Sequence, residues 1–221
     1  MTNEAIESLI DTLNKNKINE FVFISELPQN VDFAKVWMKE PQGRIVNERS
    51  YEFYLIKNEL EIYIAAVLDM GNDLHVFVKK DSRKKGYLSR AINNVILPKL
   101  YQSGRKKQII TFIDHGMGEY VKKHWGFTLI NNTSAEKDLS CYANIPRIIP
   151  KFKNITDNEF KHIMKNIDKA KLYLTMVKEK IEASYGEDSN IYLDDLIDDI
   201  ASLDDQIFDL IKEKQGELVY L

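Results

Sequence analysis

The residues best able to do chemistry lie in one basic, glycine-containing stretch. Val76-Phe77-Val78 is apolar and β-prone. Lys79-Lys80-Asp81-Ser82-Arg83-Lys84-Lys85 is strongly charged, and Gly86-Tyr87 leads into Leu88, Ala91, Ile92, Val95 and Ile96 at helical spacing. A strand, a basic loop and the opening of a helix are expected in that order. The first N–H groups of a helix have no intrahelical partner and concentrate partial positive charge. A diphosphate docked there accepts several main-chain hydrogen bonds. Gly86 has no Cβ and lets such a ligand approach the backbone, while Arg83, Lys84 and Lys85 add charge around it.

The charge distribution points the same way. The 221 residues carry a formal net charge of −3. From Lys151 onward there are 10 basic and 16 acidic residues, leaving 21 and 18 for residues 1–150. Lys79, Lys80, Arg83, Lys84, Lys85, Arg90, Lys99, Arg105, Lys106 and Lys107 face Asp81 alone in their segment. Such a cluster suits a polyanion: nucleic acid or a phosphorylated cosubstrate. The single cysteine, Cys141, excludes an intrachain disulfide framework and a cysteine-rich zinc site. No metal site is expected. The N-terminus lacks the basic and apolar regions of a signal peptide, and no uncharged apolar run reaches membrane-span length. A cytoplasmic protein without membrane contact is the expectation.

The elements that must position the loop follow from periodicity. Ile6, Leu9, Ile10 and Leu13 form one helical face over 3–14, capped by Thr2 or Asn3. A short β-prone run covers 21–24, residues 31–39 lean towards helix, and Pro41-Gln42-Gly43 is a break. Runs at 51–56, 61–68 and 74–78 are separated by short turns, as in an antiparallel meander. The helix after Gly86 runs to about Tyr101, with Pro98 a candidate kink. A buried strand at 108–113, a short helix at 118–125 ended by Gly126, a strand at 127–130 and a hairpin partner at 139–145 complete an α/β (α+β) domain with a mixed, mostly antiparallel sheet flanked by helices. A boundary is placed near residue 150. Beyond it Thr156-Asp157-Asn158-Glu159 reads as a capping box. Two seams follow, Phe160, Ile163, Ile167, Ala170, Leu174, Val177 and Ile181, then Leu193, Leu196, Ile200, Leu203, Ile207 and Leu210. They predict a C-terminal antiparallel helical hairpin over 151–221.

Arg83-Lys84-Lys85-Gly86-Tyr87-Leu88 resembles the signature of the GNAT N-acetyltransferase superfamily, Arg/Gln-x-x-Gly-x-Gly/Ala, which follows that family's fourth strand and binds the pyrophosphate of acetyl-CoA. Arg83 and Gly86 fit, and Leu88 stands where the family has Gly or Ala. The family also ends its fourth helix with a pattern like Asn-x-x-Ala-x-x-x-Tyr-x-x-x-Gly-Phe. Here Gly126-Phe127 keeps the corner, with Lys122 at the Tyr position, Gly118 at Ala and His115 at Asn. The resemblance covers about residues 50–145 and excludes the hairpin. No Walker or Rossmann glycine motif is present.

The resemblance implies a GNAT-like acyl-CoA-binding domain over 1–150 that moves an acetyl group from acetyl-CoA to an amine by direct attack. A backbone N–H near Phe77 or Val78 would polarise the thioester carbonyl, and His115 would contact pantetheine. The cofactor-binding set is therefore Phe77, Val78, Arg83, Lys84, Lys85, Gly86, Tyr87, Leu88 and His115. Lys122 and Tyr120 are the candidate acids, although Lys122 also reads as a solvated helix lysine and Tyr120 as a core residue. His75 and Asp73 are the candidate bases. Cys141 reads as a small strand residue and Trp125 as a packing anchor. The amine acceptor is not readable. The rival reading is a catalytically silent acyl-CoA-binding or scaffold protein acting through its C-terminal helices, with 156–214 joining a second copy or a protein partner. Nucleic-acid binding ranks below both.

Overall fold

The computed structural model describes residues 1–15, 22–37, 50–112, 115–151, 153–186 and 191–218. The expected break at Pro41-Gln42-Gly43 lies outside them. The chain divides into two compact units, Met1–Phe152 and Lys153–Leu221.

The first unit is mixed α/β, with antiparallel sheets flanked by helices, as expected. Helix α1 (Asn3–Asn14) is capped by the Thr2 side chain, which accepts from the Ala5 N–H at 3.3 Å. Five antiparallel strands follow in spatial order: β1 (Val22–Leu27), β2 (Val31–Val36), β3 (Tyr51–Lys57), β4 (Tyr63–Asp69) and β5 (Leu74–Val78). β2 corrects the helical leaning at 31–39. Its ladders to β1 and β3 satisfy both edges of the segment, and the β-branched Val31 and Val36 fit a pleated surface.

Side-chain alternation explains why β3 and β4 are almost continuously apolar. Phe53, Leu55, Ala66 and Leu68 pack with Ile6, Leu9 and Ile10 of α1 on one face. Tyr54, Ile56, Ala65 and Val67 pack with Ala91, Ile92, Val95 and Ile96 on the other. Both faces are buried, so both residue parities must be apolar. A fully buried Phe53 stabilises the fold by roughly 2–3 kcal/mol.

The second face is covered by one long helix in three parts: α2 (Tyr87–Ala91), a π segment (Ile92–Ile96) and α3 (Leu97–Gln102). Pro98 does not stop it. A proline ring crowds the carbonyl four residues earlier. The helix widens instead, and the Leu97 N–H reaches back five residues to Ile92 O.

A second, three-stranded antiparallel sheet has the order β6 (Lys107–Thr111), β8 (Ser134–Asp138), β7 (Thr128–Asn131), with α4 (His115–Trp125) connecting β6 to β7. The hairpin partner of β7 is thus residues 134–138. Residues Ser140–Tyr142 form a 3-10 turn, where Asp138 Oδ1 accepts from the Ser140 N–H at 2.8 Å and breaks the strand. Cys141 is consequently an exposed turn residue, not a strand residue.

In the second unit, α5 (Asp157–Tyr185) and α6 (Ile191–Leu218) form an antiparallel hairpin. Phe160 meets Phe208 with ring centroids 6.0 Å apart, and Lys178 pairs with Asp194 at 2.5 Å. Thr156 and Glu159 form the expected reciprocal capping box. The seam differs from the predicted one. Ala170, Val177, Leu196, Leu203 and Leu210 are exposed, and Ile197 and Ile211 join Leu193, Ile200 and Ile207 on the partly buried side of α6. No helix among the described residues is long and apolar enough to cross a membrane.

Candidate functional site

The two sheets of the first unit meet at one point. The Ile109 N–H of β6 donates to Asn72 O at 3.1 Å, just before β5. Asp73 reinforces the junction by accepting from the Thr111 N–H at 3.0 Å, from the Thr111 hydroxyl and from the Leu74 N–H at 2.8 Å. Residues 72–73 and 109–111 ascend together, so the strands start parallel. Past Asp73 no ladder joins them among the described residues. Between them lies a cleft of about 570 Å³ walled by Leu74, His75 and Val76 of β5, Ile110 and Phe112 on the β6 side, and Met117 and Trp125 of α4. That volume is in the range of small-molecule sites.

β5 is the edge strand, and its register decides which main-chain groups reach the cleft. The Lys79 N–H donates to Ile64 O at 2.9 Å, and residues 78 and 65 pair opposite each other. Antiparallel ladders alternate. Phe77 therefore turns its N–H towards Ala66 of β4, while Val76 and Val78 turn theirs to the open edge. Of the two amides expected to polarise a carbonyl, the ladder leaves Val78, with Val76 as its unanticipated companion. The Phe77 side chain is buried against α1.

The basic loop follows directly. Lys80–Ser82 is a 3-10 turn, and Arg83 folds back so that its Nε donates to Val78 O at 3.2 Å. Lys84 (φ +60°) and Gly86 (φ +80°) both adopt left-handed backbone. Gly86 caps α2, and no side chain caps that helix. A Cβ on Gly86 would meet nothing within 4 Å, so the glycine is required by conformation rather than by crowding. Arg83, Lys84, Lys85 and Gly86 are exposed, while Tyr87 and Leu88 are half-buried against the core below. Leu88 thus packs inward. The loop is not part of the cleft wall; it lies beyond Val78 along the same strand.

Four of the ten basic residues are already paired with carboxylates, and a fifth donates to a carbonyl. Lys79 pairs with Asp11, Arg90 with Glu59 at 3.9 Å, Arg105 with Asp69 at 2.9 Å and Lys107 with Glu136 at 3.5 Å, while Lys99 Nζ donates to Ile148 O at 3.1 Å. The acids come from four different elements, so the one-dimensional excess overstates the field. Glu59 also accepts from the Tyr87 hydroxyl, which holds its carboxyl below the usual range and the phenol above it. Lys80 and Lys84 make no ion pair among the described residues.

The candidate catalytic residues separate. Lys122 is exposed on α4. Tyr120 is 38% exposed rather than in the core. Its hydroxyl lies 2.8 Å from Ser89 Oγ, its ring stacks on His124 with centroids 4.5 Å apart, and it meets Trp125 edge-on. Ser89 Oγ also accepts from Trp125 Nε1 at 3.0 Å, and Trp125 is 1% exposed, the packing anchor expected. Ser89 is the residue that sequence reading missed. It sits in the first turn of α2, and its only signal was a polar residue beside the phosphate-type motif. His75 borders the cleft and its Nε2 lies 2.9 Å from Asn3 Oδ1. Asp73 is committed to Thr111 and Leu74. His115 opens α4 instead of ending the preceding strand, and its side chain lies outside the described residues.

The Gly126-Phe127 corner is closed by Lys137. Its Nζ donates to Trp125 O at 2.6 Å and sits over the Tyr142 ring, and burial pushes its pKa below the usual lysine range. Gly126 has φ +70° and ends α4. Among the described residues, no group of three His, Cys, Asp or Glu side chains is placed to hold a metal ion.

No protein-family profile and no curated protein matches the chain by sequence. Among solved structures it is similar to mutant forms of the spermidine/spermine N-acetyltransferase SpeG from Vibrio cholerae, at 10% identity and a TM-score of 0.38 over 66% of this chain and 96% of that one. A further mutant of the spermidine N-acetyltransferase SpeG from the same organism is similar at 11% identity and a TM-score of 0.38, over 66% of this chain and 97% of that one. A likeness this distant fixes neither activity nor substrate.

Proposed function

We propose that the first unit binds acetyl-CoA and transfers its acetyl group to an amine, as a GNAT-type N-acetyltransferase. One observation carries the reading. An uncapped helix start with an exposed, left-handed glycine stands at the end of a strand that turns the Val76 and Val78 amides away from β4, with Val76 lining a cleft. In this reading the diphosphate lies on the N–H groups of Tyr87 and Leu88, with Lys84 and Lys85 beside it. The pantetheine arm follows the open edge of β5, and the Val76 or Val78 N–H donates to the thioester oxygen as negative charge develops there. A neutral amine attacks the carbonyl carbon, the carbon–sulfur bond breaks, the amine loses a proton and the departing thiolate gains one. His75 is the better base candidate, because Asp73 already accepts three hydrogen bonds.

The positions of Lys122 and Tyr120 favour a second reading, acyl-CoA binding without turnover. Lys122 is exposed to solvent, and the Tyr120 hydroxyl is engaged with Ser89. Calorimetry with acetyl-CoA and release of free CoA thiol across a panel of amines separate the two. Binding with thiol release supports the enzyme, and binding without release supports the silent protein. No heat with millimolar acetyl-CoA rejects both.

A further inference from the structure

Among the described residues of the unit from Lys153 to Leu221, none is fully buried, yet each helix carries two apolar stripes. One is used within the hairpin: Phe160, Ile163, Ile167, Leu174 and Ile181 of α5 against Leu193, Ile197, Ile200 and Ile207 of α6, all partly buried, with the exposed Phe208 ring beside Phe160. The other is exposed: Ala170, Tyr173 and Val177 on α5, where Leu172 and Met176 are also exposed but lie further round the helix, and Leu196, Leu203 and Leu210, spaced by seven, on α6. At about 100° per residue the exposed stripe lies about 75–90° from the seam on each helix. Because the helices are antiparallel, both exposed stripes fall on one face of the hairpin. A two-helix unit needs one stripe per helix, whereas each helix of a four-helix bundle presents a wider face to two neighbours.

We propose that this face joins the same face of a second copy of the chain, forming a four-helix bundle from two hairpins. Two observations favour a second copy over a foreign partner. The missing elements number two helices, which one further hairpin supplies. The charges are also complementary across the pairing, since α5 holds six lysines and five carboxylates while α6 holds nine carboxylates and two lysines. A two-fold axis parallel to the helices sets each α5 over the partner's α6, antiparallel and at the levels where Lys178 already meets Asp194 within one hairpin. Lys169 and Lys180 border the exposed stripe of α5, and Asp195 and Asp199 border that of α6, so they oppose each other across the joint. Helices of 29 and 28 residues are each about 42 Å long, and the apolar stripe occupies residues 170–177 of α5 and 196–210 of α6.

The test uses the full chain. Sedimentation or light scattering at micromolar concentration is expected to give twice the 25.8 kDa chain mass. The 25.8 kDa mass at every concentration up to 100-fold higher overturns the proposal. Leu196→Glu with Leu203→Glu is expected to give the single-chain mass, and a dimer that survives this pair overturns the proposed face. A charge swap tests the partner's identity without emptying a core. Chains with Lys169→Glu and Lys180→Glu, and chains with Asp195→Lys and Asp199→Lys, should each dimerise at least tenfold more weakly. Their mixture should recover a mixed dimer in native mass spectrometry, and failure of the mixture to pair overturns the α5-over-α6 arrangement. None of these readouts depends on acetyl-CoA.

Discussion

The β5–α2 junction and helix α4 flank the same region but are built from different material. The junction is a main-chain device. The groups it presents are the amides of Val76, Val78, Tyr87 and Leu88, and they depend on the edge position of β5 and the left-handed turn at Gly86. Helix α4 is a side-chain device, in which Trp125, Tyr120 and Gly118 act through what they touch. A main-chain site tolerates many side-chain identities, so Leu88 can turn inward without removing its amide from the helix start. A side-chain site changes with each residue, and Lys122 presents an exposed amine there.

Gly86→Asp is the largest expected break in that comparison. It forces an L-residue to φ +80° and puts a carboxylate at the proposed diphosphate site. Calorimetry should show acetyl-CoA binding weakened more than about 100-fold, with folding stability lowered by only about 1 kcal/mol. Unchanged affinity in a folded variant would move the ligand away from the junction. On α4, Gly118→Ala comes next. Its Cβ would stand 2.8 Å from the Phe112 ring and 3.3 Å from Leu129, and overpacking of this kind costs about 1–3 kcal/mol. Denaturant unfolding reads it, and a stability equal to the parent would mean that α4 is free to lift off β6.

Ser89→Ala probes the bond between the two regions. It removes the partner of the buried Trp125 Nε1 and of the Tyr120 hydroxyl. A loss of about 1–2 kcal/mol is expected by thermal unfolding, and a neutral result would show the indole N–H satisfied elsewhere. Lys122→Ala should do least, within about 0.5 kcal/mol in stability and without change in any thiol-release rate. A tenfold slower release would restore Lys122 as the acid and contradict its exposed position.

The parts legible in the sequence were those fixed by neighbours along the chain. The strand–loop–helix order around Gly86, the Thr156–Glu159 capping box and the Gly126 corner each need only a few adjacent residues and one special backbone state. The meander of β3, β4 and β5 was legible because short turns leave few pairings. The strand at 31–36 was not, since its conformation is imposed by ladders on both sides. The Tyr120 environment was not, because Ser89 is 31 residues away. The hairpin seam was legible as a period but not as a direction, because two apolar stripes share each helix and only the partner helix selects one.

Sequence alone therefore determined where a strand gives way to a helix whose first amide hydrogens have no intrahelical partners, because that follows from local backbone geometry. Tertiary structure decided which edge of β5 stayed open, which lysines kept an unneutralised charge and which stripe of α6 faced inward. Each of those depends on groups distant in sequence competing for the same hydrogen bond, ion pair or packing surface, and that competition is settled only when the chain is folded.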